Sequence, residues 1–370
     1  MKCPADESSR RFNTIRASME KEGLDVLIVY SPQWKLELMH YVSNYRILGQ
    51  DACLVLPLND EPTLYISEVW DLKRAQEESW VKEIIPAPNG MLRIAGIEAC
   101  KVGKRIGVVG VEQISQDKYK DLVTGLNGTK FTNEWSLVDK LAMIKTPWEV
   151  EILRKCANLA DEGFLAELRA IRAGISEYEL VAEIEYAMKS RGADDNFQMV
   201  GIGRNLTGMN IARECRMVDG DLALTEITPH IGCNSYATQL CRTVKLGPAT
   251  KVEKEKYNLL LEALEESLKI MKPGVKAGDV ARKQNEIIGK AGYQKYCQPP
   301  YMRSRGHNFG LGQLELAEEN DLELRSNMIM VVHPNQFIPE TGYLACGETI
   351  LITESGIDRL NRVPAKLYEV

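Results

Sequence analysis

No apolar run in the 370-residue chain approaches the roughly 18 residues of a membrane span. No cluster of lysine and arginine forms a stripe that could track phosphates. The nine cysteines are odd in number and contain no CxxC pair, which argues against a disulfide framework and against a thiolate zinc site. The first stretch, MKCPADESSRRFNTIRASMEKEGLDVLIVY, lacks the basic, apolar, small-residue order of a signal peptide. These absences lead us to expect no membrane, no nucleic-acid partner, reduced thiols and a cytoplasmic location.

What is present is ordinary for a globular protein: 44% hydrophobic and 26% charged residues with a net charge of −6. The length suits two domains. Arg10 to Glu22 has the apolar spacing of an amphipathic helix, and LDVLIVY (Leu24 to Tyr30) reads as a strand buried on both faces. DACLVLPL, PTLYIS, VKEIIP and RIGVVG read as further strands, with a charged helix around Asp71 to Trp80. These describe an α/β domain over residues 1–143. At TPWEVEIL, Thr146 can cap a helix, Pro147 suits its first turn and Glu149 completes a capping box, so a second domain is expected over 144–370.

The second domain contains an internal repeat. LRAIRAGISEYELVAEIEYAMKSRGA (168–193) can be laid on LKIMKPGVKAGDVARKQNEIIGKAGY (268–293), pairing Gly174 with Gly274 and Gly192 with Gly292, each 100 residues apart. Each copy predicts a helix, a glycine turn, a second helix and a glycine stop before β-rich sequence.

The repeat, together with DGDLALTEITPHIGCNSYATQLCRTVKLG, RGHNFGLG, NMIMVVHPNQFIPETGY and CGETILITESG, resembles the creatinase, prolidase and methionine aminopeptidase family. The resemblance implies an α+β pita-bread domain behind a creatinase-type α/β domain. In peptidase members it implies two divalent metals held by two Asp, one His and two Glu. Carried over residue by residue, the first Asp falls on Glu226, the second on Gln239 and the His on His307. The Glu before Pro falls on His333 and the last Glu on Gly347, with Glu348 beside it.

Creatinase, the metal-free branch, uses a His as acid/base and two Glu that grip its substrate. Those positions fall near Met209, and on Cys241 and His333. The resemblance thus sets a thiol against an imidazole where relatives hold two carboxylates, and a thiol with a base at hydrogen-bond reach is a nucleophile. We therefore expect a metal-independent creatinase-type hydrolase of a C–N bond, amide or amidine, in a small polar molecule. Cys241 would attack and His333 shuttle the proton. His307 would orient or stabilise an oxyanion, and Glu226 would fix a tautomer or bind a substrate ammonium. Tyr236, Arg242, Glu348 and His230 are expected around the substrate. His40 and Arg46, in MHYVSNYRILG, are expected in a loop that reaches a neighbouring subunit's pocket in a homodimer. No cofactor is expected. The alternatives are a silent pita-bread binding protein and an Xaa-Pro-type peptidase with one metal at Glu226, His307 and His333.

Overall fold

The computed structural model describes residue 4 and residues 6–370. The chain divides into two compact units, Met1–Met143 and Ile144–Val370.

In the first unit the order is α1 (Glu7–Glu22), β1 (Val26–Pro32), α2 (Leu36–Ser43), β2 (Asp51–Pro57), β3 (Thr63–Ile66), α3 (Leu72–Glu78), β4 (Glu83–Pro86), α4 (Met91–Val102), β5 (Ile106–Val109), α5 (Gln116–Leu126), β6 (Phe131–Asn133) and α6 (Trp135–Ala142). The strands form one mixed sheet in the order β4-β3-β2-β1-β5-β6. Helix α1 starts before Arg10 because Glu7 pairs with both Arg10 and Arg11 one turn on. It stops at Gly23, whose φ of 70° lets Leu24 N–H close back on the Met19 carbonyl. Leu24 and Asp25 are spent on that turn, so the strand begins two residues later than the apolar run suggests. Val26, Ile28 and Tyr30 pack with Cys53, Val55, Met91 and Ala95 in the core of this unit.

The second unit runs α7 (Pro147–Ala170), α8 (Glu177–Lys189), β7 (Asp195–Gly203), β8 (Leu222–Ile231), β9 (Tyr236–Ala237), β10 (Leu240–Lys245), α9 (Lys251–Ile270), α10 (Ala277–Ile288), β11 (Gly306–His307), β12 (Ile329–Val332), β13 (Gln336–Ile338), β14 (Gly342–Leu344), β15 (Glu348–Ile352), β16 (Ile357–Arg359) and β17 (Tyr368–Glu369). Helix α7 opens with the capping box of Thr146 and Glu149 and with Pro147 in its first turn. Its apolar face, with that of α8, covers the sheet: Phe164, Ile184 and Met188 meet Val200, Ile227 and Leu240.

The repeat is visible in the backbone. Gly174 and Gly274 share a φ of 87°, a conformation that suits glycine. Gly174 N–H donates to Met217 O at 2.8 Å and Gly274 N–H to Leu324 O at 2.9 Å, so each helix pair is tied to its own β segment in the same way. The copies then diverge. After Gly192 the first copy enters β7 directly, whereas Gly292 is followed by a short 3-10 turn over Gln294–Cys297 and the next strand waits until Gly306.

Two larger sheets result, β17-β10-β8-β7 with β9 on β8, and β11-β12-β15-β16, beside the two-stranded β13-β14 ribbon. They meet where β10 approaches the start of β15. Cys241 and Gly347 exchange both backbone hydrogen bonds, at 2.9 and 3.0 Å. Two residues away on either side a threonine hydroxyl repeats the bond: Thr349 Oγ1 accepts from Gln239 N–H and donates to its carbonyl, and Thr243 Oγ1 does the same for Ala345. Side chains at alternate positions of this seam, on strands from both repeat copies, are thereby brought to one place.

Candidate functional site at the sheet seam

Glu226 on β8 lies directly opposite Cys241 on β10. Its Oε1 accepts a hydrogen bond from Gln239 Nε2, which also reaches Thr228 Oγ1 at 3.2 Å. The two antiparallel strands thus place a carboxyl, an amide, a hydroxyl and a thiol on one buried floor. Gln239 is 2% exposed and its Oε1 has no hydrogen-bond partner. No lysine, arginine or histidine pairs with Glu226 among the described residues, and burial pushes its pKa up to about 7, only partly opposed by the Gln239 amide.

Most of the rim comes from the second repeat copy. His307 ends β11 and His333 follows β12, with ring centroids 5.3 Å apart. Phe309 stands edge-on to His307 at 4.8 Å and within 6.4 Å of His230, so three imidazoles and a phenyl form a continuous row. Backbone pairing fixes His333, whose N–H donates to Arg305 O at 3.0 Å. Its Nδ1 is buried without a partner. Burial, reinforced by neighbouring His307, lowers the His333 pKa to about 3, and burial also lowers that of His307. Both rings are therefore neutral near pH 7, fit to donate or accept single hydrogen bonds.

The thiol–imidazole pair expected from sequence does not form, and this corrects the roles given to Cys241 and His333. Cys241 is fully buried; burial first, then the Glu226 charge, drives its pKa far above that of a free thiol. Its side-chain partner is the Asn335 amide, which also hydrogen-bonds the Tyr343 hydroxyl. The Asn335 Oδ1 is engaged by Cys346 N–H at 2.7 Å. Asn335 and Tyr343 were not anticipated from sequence. Asn335 stands two residues after His333 in HPNQ, and that spacing was the available signal. Arg305 was also missed. It is 1% exposed, and its guanidinium donates to Asn285 Oδ1, the Asn335 carbonyl and Gln336 Oε1, all neutral acceptors.

Other expectations are corrected by strand alternation and packing. Arg242 turns to the face opposite Cys241 and donates to the carbonyls of Gly347 and Val363. Glu348 lies 3.4 Å from Arg242 and 2.8 Å from Arg359 in a buried ion cluster, away from the seam floor. Tyr236 is buried beside Trp148, its hydroxyl donating to Glu149 Oε1 at 3.2 Å, so it secures the start of α7. In the first unit His40 is inside α2 and buried among Arg11 and Arg46, which with burial lower its pKa to about 3. It is not a loop residue held out to solvent. Arg46 follows α2, its carbonyl accepting from Arg74 at 2.7 Å. No described helix is long and apolar enough to cross a membrane.

Residues 151–354 match metallopeptidase family M24, and residues 11–144 match the creatinase/prolidase N-terminal domain. The chain is 27% identical to the Xaa-Pro dipeptidase of Pyrococcus furiosus over 96% of its own length and 99% of that protein. It is 26% identical to the Pyrococcus horikoshii Xaa-Pro dipeptidase over 98% and 99%. Among solved structures, the Xaa-Pro dipeptidase from Bacillus anthracis superposes with a TM-score of 0.86 at 22% identity, covering 98% of this chain and all of that one. These relatives overturn the expected metal-independent, creatinase-type hydrolase with a cysteine nucleophile: the proteins matched end to end are named as Xaa-Pro dipeptidases.

The dinuclear metal centre implied by the family does not fit the residues present. One donor position is the Gln239 amide, and no three His, Cys, Asp or Glu side chains are gathered for a metal among the described residues. At Gly347, a Cβ would lie 2.5 Å from His333 Cβ and 2.9 Å from His333 Cα, so His333 occupies the room a carboxylate would need there. The same absence applies to the single-metal set of Glu226, His307 and His333. With both of its domains matched and its two sheets joined at this seam, the chain belongs to metallopeptidase family M24 and has that family's pita-bread fold, with a changed set of side chains at the seam.

Proposed function

We propose that the chain is a hydrolase of small peptides whose substrate is a dipeptide of the Xaa-Pro class. The observation that carries this reading is its end-to-end relation to Xaa-Pro dipeptidases, 27% identical over 99% of one of them. The seam supports it by offering groups that handle protons. Glu226, with a pKa of about 7, exchanges a proton readily at neutral pH, so it can take one from water and return it to a leaving nitrogen. The neutral rings of His307 and His333 orient a peptide carbonyl or the water beside it. Cys241 has no chemical step. A homodimer in the cytoplasm belongs to the same reading.

The replaced donors at Gln239 and Gly347 favour one other reading, a protein that binds such a dipeptide without cleaving it. Both are tested by incubating the purified chain with Gly-Pro, Ala-Pro and matched dipeptides lacking proline, with chelator and with added Mn²⁺. Free amino acids are measured by mass spectrometry and binding by calorimetry. Release of proline that Glu226→Gln abolishes supports the hydrolase. Saturable binding without release supports the binding protein, and neither result removes both.

A further inference from the structure

We propose that the crevice at the far end of the β8–β10 pair is a second binding site, one that takes an aliphatic diamine or polyamine. It measures about 780 Å³, inside the range of roughly 300–1,000 Å³ in which small-molecule sites fall.

The crevice is separate from the seam floor. On the face that carries Glu226 and Cys241, the strand pairs run Glu226 with Cys241, Leu224 with Thr243 and Leu222 with Lys245. The floor lies at the first pair and the crevice begins at the third, about 13 Å along the strands. The pair between them is closed. Leu224 and Thr243 are completely buried, and Thr243 Oγ1 exchanges hydrogen bonds with the main chain of Ala345. The remaining walls are the turn before β8, the start of α9 and the β13–β14 turn. Two of these are tied to one segment: Arg204 donates to Asp219 O at 2.6 Å, and Tyr343 N–H donates to Leu206 O at 2.6 Å.

The charges on these walls do not balance. There are two cations, Arg204 and Lys245, and three carboxylates, Asp219, Glu253 and Glu340. Both cations are already engaged. Lys245, 6% exposed, donates to Gly220 O at 2.6 Å and to Glu253 Oε1 at 2.7 Å, and Arg204 lies 3.4 Å from Asp221. Asp219 and Glu340 are left without an ion pair among the described residues. Glu340 accepts from the Tyr293 hydroxyl at 3.1 Å, with Lys256 over that ring. Main-chain donors of the walls are spent as well: Gly247 N–H on the Val370 carbonyl, Thr250 N–H on Glu253 and Thr341 N–H on the Ile338 carbonyl.

The crevice therefore offers acceptors and negative charge on two separate turns, with the apolar side chains of Leu222, Leu246 and Pro248 on its walls. An anion would find few donors there. A methylene stem with an ammonium at each end supplies what is missing: its ends meet the Asp219 and Glu340 carboxylates and its stem covers apolar surface.

The test is calorimetry on the full chain with diaminobutane, butylamine and butanediol. One saturable site for diaminobutane is expected, weakening as salt is raised. Butylamine should bind about 5-fold or more weakly, the effect of losing one exposed charge pair, and butanediol should not bind. Asp219→Asn and Glu340→Gln should each weaken the diamine by a similar factor. Both side chains are exposed, and the ligand series needs no variant, so the result does not depend on how a substitution affects folding. Absence of saturable diamine binding overturns the proposal. So does equal binding of butylamine and diaminobutane, or diamine binding that neither substitution changes.

Discussion

Cys241 and Gly347 pair across the two sheets of the second unit with both backbone hydrogen bonds, the one place where β10 meets the chain entering β15 through main-chain atoms on both sides. The thiol is a seam residue. It fills the space opposite Glu226 while Gly347 leaves room for His333.

Cys241 is accordingly expected to resist alkylation in the native protein. With the thiol fully buried and its pKa raised by burial and by Glu226, iodoacetamide at pH 8 should leave it unlabelled while partly exposed Cys100 reacts. Peptide mass spectrometry after native labelling and after labelling in denaturant checks this. Rapid native labelling of Cys241 would contradict the seam assignment.

Gly347→Ala should destabilise the second unit. The added methyl would sit 2.5 Å from His333 Cβ and 2.9 Å from Val332 O. Overpacking of this kind costs about 1–3 kcal/mol. The urea midpoint should fall, and the His333 imidazole resonances should shift with it; a change in neither would show that the seam relaxes freely.

Glu167 on α7 gives a pH signature that is separate from the seam. It is completely buried, with Thr225 Oγ1 donating to Oε2 at 2.7 Å and Oε1 unpartnered, and burial raises its pKa to about 8. The folded chain keeps this proton at neutral pH while the unfolded chain, with an ordinary carboxyl, has lost it. The stabilising contribution is therefore full below about pH 4.5 and is lost as the pH rises through about 8. Glu167→Gln should match wild type near pH 5 and exceed it by on the order of 3 kcal/mol at pH 8. Urea titrations of both proteins at the two pH values decide it, and a difference that does not change with pH would refute the shift.

Arg305 holds the segment that carries His333 and Asn335. Arg305→Met keeps the length of the side chain but leaves Asn285 Oδ1, the Asn335 carbonyl and Gln336 Oε1 without their donor. A loss of about 2–4 kcal/mol is expected from that many stranded acceptors. Thermal melting measures it, and an unchanged midpoint would mean the segment is held by β12 alone.

Divalent metal should add little to stability. With no three suitable donors gathered among the described residues, Mn²⁺ added to chelator-treated protein should not produce the midpoint shift of several degrees that a tightly held ion gives. Calorimetric scans with and without the ion check this.

The fold was legible because it is written in local signals. Thr146, Pro147 and Glu149 announce α7, and Gly174 and Gly274 mark two turns with identical φ. The site was legible only as positions. Family order pointed to Glu226, His307 and His333, but the direction of a side chain depends on strand phase, and phase sends Cys241 to one buried face of β10 and Arg242 to the other. Asn335 and Arg305 escaped notice because their importance lies in long-range hydrogen bonds, 94 and 20 residues apart in the pairs with Cys241 and Asn285 respectively. His40 failed for a different reason: helix α2 replaces the expected loop and turns the ring inward.

The internal repeat divides the seam by origin. Glu226, Gln239 and His230 lie in the β segment of the first copy, and His307 and His333 in that of the second. The first copy supplies the acidic floor of the site and one imidazole, and the second supplies the other rings. Each end can therefore drift in sequence without unpicking the other, as two locks on one door can be changed separately, and the backbone pair of Cys241 and Gly347 remains the hinge plate common to both.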